Sequence, residues 1–141
     1  MKRPFLFCLL FLGTLVSVNA QCKWEQLVGT KWKLLNADYT LTLSFSKKER
    51  HTQMSYKPAN NFKELFDKYY LANKIPREFD KKAVGKPSEG KYFLYQTWWD
   101  GRQVMMYEII QMSADEDTLY LCNFKTATDE ITERFAYKKI K

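Results

Sequence analysis

Few side chains of this chain have the chemistry for catalysis, and their spacing does not favour it. His51 is the single histidine and follows Arg50 in a charged stretch, while Asp115, Glu116 and Asp117 form a run of carboxylates. Catalysis needs a base within hydrogen-bond reach of its target, or two carboxylates in different environments. Consecutive carboxylates of a turn point apart, and a histidine among charged neighbours is solvated. The sequence therefore predicts that the protein is not an enzyme.

The spacing of cysteine, histidine and acidic residues does not favour a metal site either. Zinc sites use pairs such as C-x-x-C or H-x-x-x-H, and calcium loops repeat carboxylates at alternate positions, but the sequence contains neither pattern. No metal or cofactor is expected. Cys22 and Cys122 are a candidate disulfide, because closing a loop of about 100 residues removes ~4 to 5 kcal/mol of unfolded-chain entropy.

The first twenty residues are typical of a secretory signal peptide. Lys2 and Arg3 precede an apolar run, and small or compact residues stand at Val18 and Ala20, where a signal peptidase cleaves. A membrane anchor is the alternative, but the run is short for a core of about 30 Å. Lipid attachment at Cys22 is disfavoured because Asn-Ala-Gln precedes it. We expect cleavage near Ala20 and a periplasmic or secreted domain over residues 21–141 that does not span a membrane.

The basic charge of the chain is dispersed. The formal net charge is +7, and removal of Lys2 and Arg3 with the signal peptide leaves +5. Phosphate tracking needs clustered cations, whereas acidic residues are interspersed among these. No nucleic-acid partner is expected.

Alternation of apolar and polar residues dominates the chain after Gly29. Leu41, Leu43 and Phe45 share one face of the segment 39–45, which predicts a half-buried strand. Asp100-Gly101 predicts a tight hairpin turn. Further strands are predicted over 51–57, 91–99, 103–112, 118–124 and 130–140.

One segment in the middle follows a different period. The apolar residues between Asn61 and Ala72 recur every three or four positions, and Asn61 could cap a helix that ends before Pro76. An amphipathic helix is predicted over 61–72. An irregular connection rich in charge, proline and glycine is predicted over 75–90.

These elements predict a mainly β fold, namely a small antiparallel up-and-down barrel of about eight strands with one amphipathic helix in the middle. Closure removes exposed strand edges, and aromatic residues on both faces of the middle strands need burial. An open sheet with the helix across one face is the alternative.

Candidate binding residues lie on the middle strands. A small barrel binds apolar or amphipathic ligands when aromatic and methionine side chains line its interior. The alternatives are that these side chains fill the core, or that exposed residues such as Tyr95 or Trp99 bind a protein partner as in an inhibitor or immunity protein. The predicted lining comprises Met54, Tyr56, Tyr92, Leu94, Trp98 and Met106.

The opening motif resembles that of bacterial lipocalin-like domains. Leu27–Leu34 contains Gly29 and Trp32, and in that family a glycine and a tryptophan begin the first strand and the indole closes the barrel base. The resemblance implies a ligand-binding barrel in which Arg134, on the last strand, packs over Trp32. The lipocalin pattern has one residue between glycine and tryptophan, whereas this chain has two. That spacing resembles the META domain of bacterial envelope proteins, although its glycine-cysteine-asparagine segment is absent.

Overall fold

The computed structural model describes residues 21–56 and 61–141, and this part of the chain is mainly β-sheet. The predicted signal peptide, residues 1–20, lies outside the described residues. Within the described ranges, no helix has both the length and the apolar character needed to cross a membrane.

The chain forms ten strands, one short helix and one 3-10 turn within the described residues. In chain order they are β1 (Cys22–Lys23), α1 (Trp24–Leu27), β2 (Lys31–Leu34), β3 (Thr40–Phe45), β4 (Glu49–Tyr56), β5 (Asn61–Ala72), the 3-10 turn (Lys81–Ala83), β6 (Glu89–Gly90), β7 (Tyr92–Trp99), β8 (Arg102–Met112), β9 (Thr118–Lys125) and β10 (Glu130–Ile140).

Eight of these strands close into an antiparallel barrel. Going round the wall, the order is β10, β2, β3, β4, β5, β7, β8, β9, and β9 pairs again with β10. Neighbours in the wall are therefore consecutive strands in sequence, apart from β5 and β7, between which β6 intervenes, and the pair β10 and β2. Strands β1 and β6 form a separate two-stranded sheet. The predicted mainly β, up-and-down barrel of about eight strands is confirmed.

The predicted middle helix is wrong, because residues Asn61–Ala72 form strand β5. This strand pairs with β4 along eight residues and with β7 along five. Tyr69 and Leu71 face the interior while Tyr70 faces outward, so both faces carry large apolar side chains. Apolar residues on both faces produced a spacing of three and four that imitates a helix. Strand pairing on both edges outweighs that local pattern.

The predicted hairpin turn at Asp100-Gly101 joins β7 to β8. Both residues have positive φ, 52° and 79°. Two such residues in succession match the right-handed twist of the flanking strands. The turn therefore aligns β7 and β8 in register, with Trp99 opposite Arg102.

One end of the barrel is closed by helix α1 and a packed core. Trp24 and Leu27 of α1 are buried in the same cluster as Trp32, Phe45 and other inward side chains. Gly29 follows α1 with φ of 79°, a left-handed conformation that glycine adopts without strain, and its N–H donates to the Phe45 carbonyl. The closed end is thus filled with side chains.

A second apolar cluster lies on the outside of the barrel. Tyr70, Tyr92, Leu94, Ile109 and Cys122 face outward from four adjacent strands and are buried. The connection between β5 and β6 covers them, with its side chains from residues 75, 79, 83 and 84 packed against the cluster. The predicted irregular connection is therefore a cover for the outer wall.

Near the open end, the hairpins of the barrel separate from one another. Strands β5 and β7 pair from Lys68 to Ala72, but no pairing continues toward Asn61. Strands β8 and β9 pair from Ile109 to Met112 and no further toward Arg102. Beyond these pairs, toward the open end, the β4–β5 and β7–β8 hairpins are not paired with their neighbours in the wall. The interior is therefore accessible at this end.

Candidate functional site

A buried charged layer lies where the hairpins begin to separate. The Arg50 guanidinium lies 3.4 Å from Asp67 Oδ2 and 3.3 Å from Glu108 Oε1. It also stacks on the rings of Phe93 and Tyr95, at 4.9 and 4.3 Å from their centroids. Asp67 and Glu108 immediately precede the residues where pairing to the next hairpin begins. We call Arg50, Asp67 and Glu108 the charged layer.

The charge of Arg50 is stabilised by its surroundings. Burial lowers the pKa of the guanidinium, but Glu108, Tyr95 and Asp67 outweigh burial and hold the pKa above its ordinary value. Burial and the nearby Glu108 raise the pKa of Tyr95. Among the described residues, Arg50 Nε is the buried side-chain nitrogen without a hydrogen-bond partner. The layer thus places the Arg50 guanidinium between two carboxyl groups and leaves its Nε without a partner.

Above the charged layer, apolar side chains face inward without being buried. Leu65 on β5 pairs with the inward Thr52, and Met106 on β8 pairs with Tyr95, which places both on the inner face. Leu65 is nevertheless 48% exposed and Met106 43% exposed. We call this region the mouth; its inner-face residues are Met54, Leu65, Thr97, Trp99, Val104 and Met106.

The predicted ligand-binding residues are divided between the two faces of the wall. Met54, Tyr56 and Met106 lie on the inner face, as predicted. Placing the other three in the lining is wrong, because the inner face of β7 is formed by alternate residues beginning at Phe93. Tyr92 and Leu94 are buried under the outer cover, and Trp98 faces outward with 66% of its surface exposed.

The structure confirms burial of Trp32 but not the predicted contact with Arg134. Trp32 is fully buried at the closed end, and its Nε1 donates to Thr30 Oγ1 at 2.7 Å. The cation near its ring is Lys139, at 5.6 Å, which lies opposite Trp32 on β10. Arg134 stands on the other face of β10 and stacks on Tyr120 at 5.4 Å. Strand alternation therefore separates Arg134 from the interior.

The predicted disulfide is wrong for the structure described here, because Cys22 and Cys122 are free thiols. Cys22 lies opposite Gly90 and belongs to the inner core, whereas Cys122 lies between Ile109 and Arg134 in the outer cluster. The barrel wall separates the two side chains. Burial raises the pKa of the Cys22 thiol to about 12 and also raises the pKa of Cys122.

His51 and the acidic loop have structural contacts. His51 faces outward, stacks on Phe66 with ring centroids 4.2 Å apart, and bonds to Glu64. Ser113 donates to Asp115 at 2.6 Å, and this bond helps to lower the pKa of the Asp115 carboxyl. Within residues 21–56 and 61–141, no three metal-ligating side chains cluster.

An exposed aromatic patch lies on the outer wall near the open end. Phe62, Phe66 and Trp98 are 56%, 57% and 66% exposed. They face outward from β5 and β7, where the outer cover does not reach. We call these three residues the outer aromatic patch.

Two surface grooves flank Arg134. One, of about 440 Å³, lies between the β2–β3 connection and β10 and includes Tyr39 and Phe135. The other, of about 550 Å³, includes Tyr120 and the β8–β9 turn. Tyr39 and Phe135 also pack against the inner core. The first groove therefore lies beside the inner core.

The charged layer was not predicted, although two of its members carried a signal. Arg50 lies two residues before Thr52 and four before Met54, so extending the predicted strand backward would have placed it on the face of Met54. Glu108 shares a face with Met106 by the same rule. Asp67 gave no such signal, because it lay within the segment predicted to be helical.

Comparison with known proteins gave no match, whether with protein-family models, curated proteins or solved structures. The protein is a closed eight-stranded antiparallel barrel, with an open, apolar mouth above the charged layer.

Proposed function

We propose that this protein binds a small amphipathic ligand in the mouth of its barrel. The observation that carries the proposal is the exposure of Leu65 and Met106, which face inward and yet remain half exposed. A folded barrel gains stability by burying such side chains, at about 25 cal/mol per Å² of apolar surface. An apolar ligand in the mouth would bury them.

The charged layer gives the proposed site its amphipathic character. Apolar side chains line the mouth, and the buried ion pairs of Arg50 lie immediately beneath them. Ligand pockets commonly combine apolar walls with a few polar groups that fix orientation. A ligand would therefore place its polar group toward the charged layer and its apolar part toward Leu65 and the rim. The resemblance of the opening motif to lipocalin-like domains supports the same function.

Adjacent residues on β5 give a matched test of this proposal. Leu65 and Phe66 are similarly exposed, 48% and 57%, but face inward and outward respectively. We expect the neutral apolar dye N-phenyl-1-naphthylamine to bind with enhanced fluorescence. Leu65→Ala should weaken its binding by about 1 to 2 kcal/mol, or roughly 5- to 30-fold in Kd. Phe66→Ala should leave the Kd unchanged.

The dye titration also separates the proposal from its rival. A second candidate function, binding of a protein partner, is favoured by the outer aromatic patch, because tryptophan and other large aromatic residues dominate binding hot spots. If that function is correct, Phe66→Ala and Trp98→Ala abolish capture of the partner and Leu65→Ala does not. No binding of the dye, or equal loss in both β5 variants, would refute a ligand site in the mouth.

A further inference from the structure

The charge balance of the barrel interior indicates which polar group a ligand would carry. Arg50 contributes one positive charge, whereas Asp67 and Glu108 contribute two negative charges. The layer therefore has an excess of one negative charge when all three groups are ionised. It is buried, with Arg50 7% and Asp67 2% exposed, so salt and water screen this charge weakly.

Glu108 is the carboxylate that a ligand can approach from the mouth. Its side chain is 15% exposed, compared with 3% for Asp67. The next inner-face residue toward the rim on β8 is Met106, which is 43% exposed. A polar group entering past Met106 therefore meets Glu108 before it meets the other members of the layer.

Arg50 is poorly placed to bind an anionic group. Its two terminal nitrogens already bond to Glu108 and Asp67, and its aromatic neighbours cover the guanidinium plane. Only Nε lacks a partner. A carboxylate that reached Nε would share the layer with two other carboxylates, and such like charges repel strongly away from water.

The remaining charges on the inner face do not reverse this balance. Lys63 and Arg102 lie on the inner face nearer the rim, but both are exposed to solvent, where their fields are screened. Lys139 lies opposite Trp32 at the closed end, and Glu133 of β10 bonds to Asn123 at 3.1 Å; both side chains are likewise exposed.

We propose that the mouth selects amphiphiles with a positively charged head group over carboxylates with the same apolar chain. This inference rests on the proposed function. An ammonium group would lie near Glu108, and its chain would cover Leu65 and Met106. The chain as a whole is basic, with a formal net charge of +7, so non-specific attraction would favour carboxylates. A measured preference for the cationic compound would therefore arise from the negative charge inside the barrel and not from the net charge of the protein.

Displacement of N-phenyl-1-naphthylamine by three dodecyl compounds tests this inference on the mature protein. The compounds are dodecyltrimethylammonium, dodecanoate and dodecanol, each used below its micelle concentration. We expect the ammonium compound to displace the dye at a concentration about tenfold lower than dodecanoate. Equal displacement, or stronger displacement by dodecanoate, would overturn the inference. Failure of the dye itself to bind would instead overturn the proposed function.

Glu108→Gln identifies the origin of the preference. The variant removes the excess negative charge but keeps the side-chain volume, so the ratio between the two charged compounds should fall to about threefold or less. Displacement by dodecanol, which carries no charge, should change less than displacement by the ammonium compound. Glu89→Gln is the matched control, because Glu89 is exposed on β6 beside the closed end. An unchanged ratio in Glu108→Gln would contradict the assignment, and the wild-type series decides the inference if that variant does not fold.

Discussion

Arg50→Met is expected to lower the free energy of unfolding by about 3 to 5 kcal/mol, the cost of breaking a buried ion pair. The substitution keeps an elongated side chain against Phe93 and Tyr95, so the loss comes from charge. Asp67 and Glu108 would remain in the interior without the cation that now lies 3.4 and 3.3 Å from them. Urea denaturation followed by circular dichroism at neutral pH measures the change.

A triple variant is the control for this prediction. Arg50→Met combined with Asp67→Leu and Glu108→Met removes all three charges, and replacing a buried ionic group as a whole is often neutral or stabilising. We expect the triple variant to recover most of the stability that Arg50→Met loses. A loss below about 1 kcal/mol in the single variant would show that the layer is solvated and that its charges are screened.

Gly90→Ala is expected to destabilise the protein by about 3 kcal/mol or more, since the clash it creates is with backbone. A Cβ at this position would lie 2.1 Å from the Ala72 carbonyl oxygen and 2.7 Å from the Asn73 nitrogen. Gly90 also pairs with Cys22, so a shift of β6 would disturb β1 at the closed end. Thermal unfolding of the purified variant measures the loss.

Gly101→Ala is the matched comparison for Gly90→Ala. A Cβ at residue 101 meets no atom within 4 Å, but its φ of 79° disfavours a side chain. The expected cost is about 1 to 2 kcal/mol from backbone strain alone. If both variants lose the same stability, the close contact between residue 90 and Ala72 is absent in solution.

The barrel could be predicted from the sequence because most of its strands are half buried. In β3, polar residues alternate with Leu41, Leu43 and Phe45, and the inward set is therefore unambiguous. The turn at Asp100-Gly101 also has a local cause, since its residues adopt positive φ without support from the rest of the fold. Strand alternation and turn type both depend on residues that are close together in the chain, so they can be recognised from the sequence.

The binding face could not be predicted where both faces of a strand are apolar. Strand β7 presents Phe93 and Tyr95 to the interior and Tyr92 and Leu94 to the outer cover. Alternation cannot distinguish its faces, because both carry apolar residues and the local pattern does not indicate which face the connection between β5 and β6 covers. The same cause led to the prediction of a helix for β5. Long-range packing, which the sequence does not display, decides both cases.

The methionines provide the most direct test of a ligand site in the mouth. Met105 and Met106 are adjacent on β8 but lie on opposite faces, Met54 lies on the inner face of β4, and Met112 is buried in the inner core. In protein labelled with carbon-13 at the methionine methyl groups, addition of N-phenyl-1-naphthylamine should shift the NMR signals of Met106 and Met54. The signals of Met105 and Met112 should stay in place. A shift confined to Met105, or no shift at Met106 when the dye is bound, would contradict binding in the mouth.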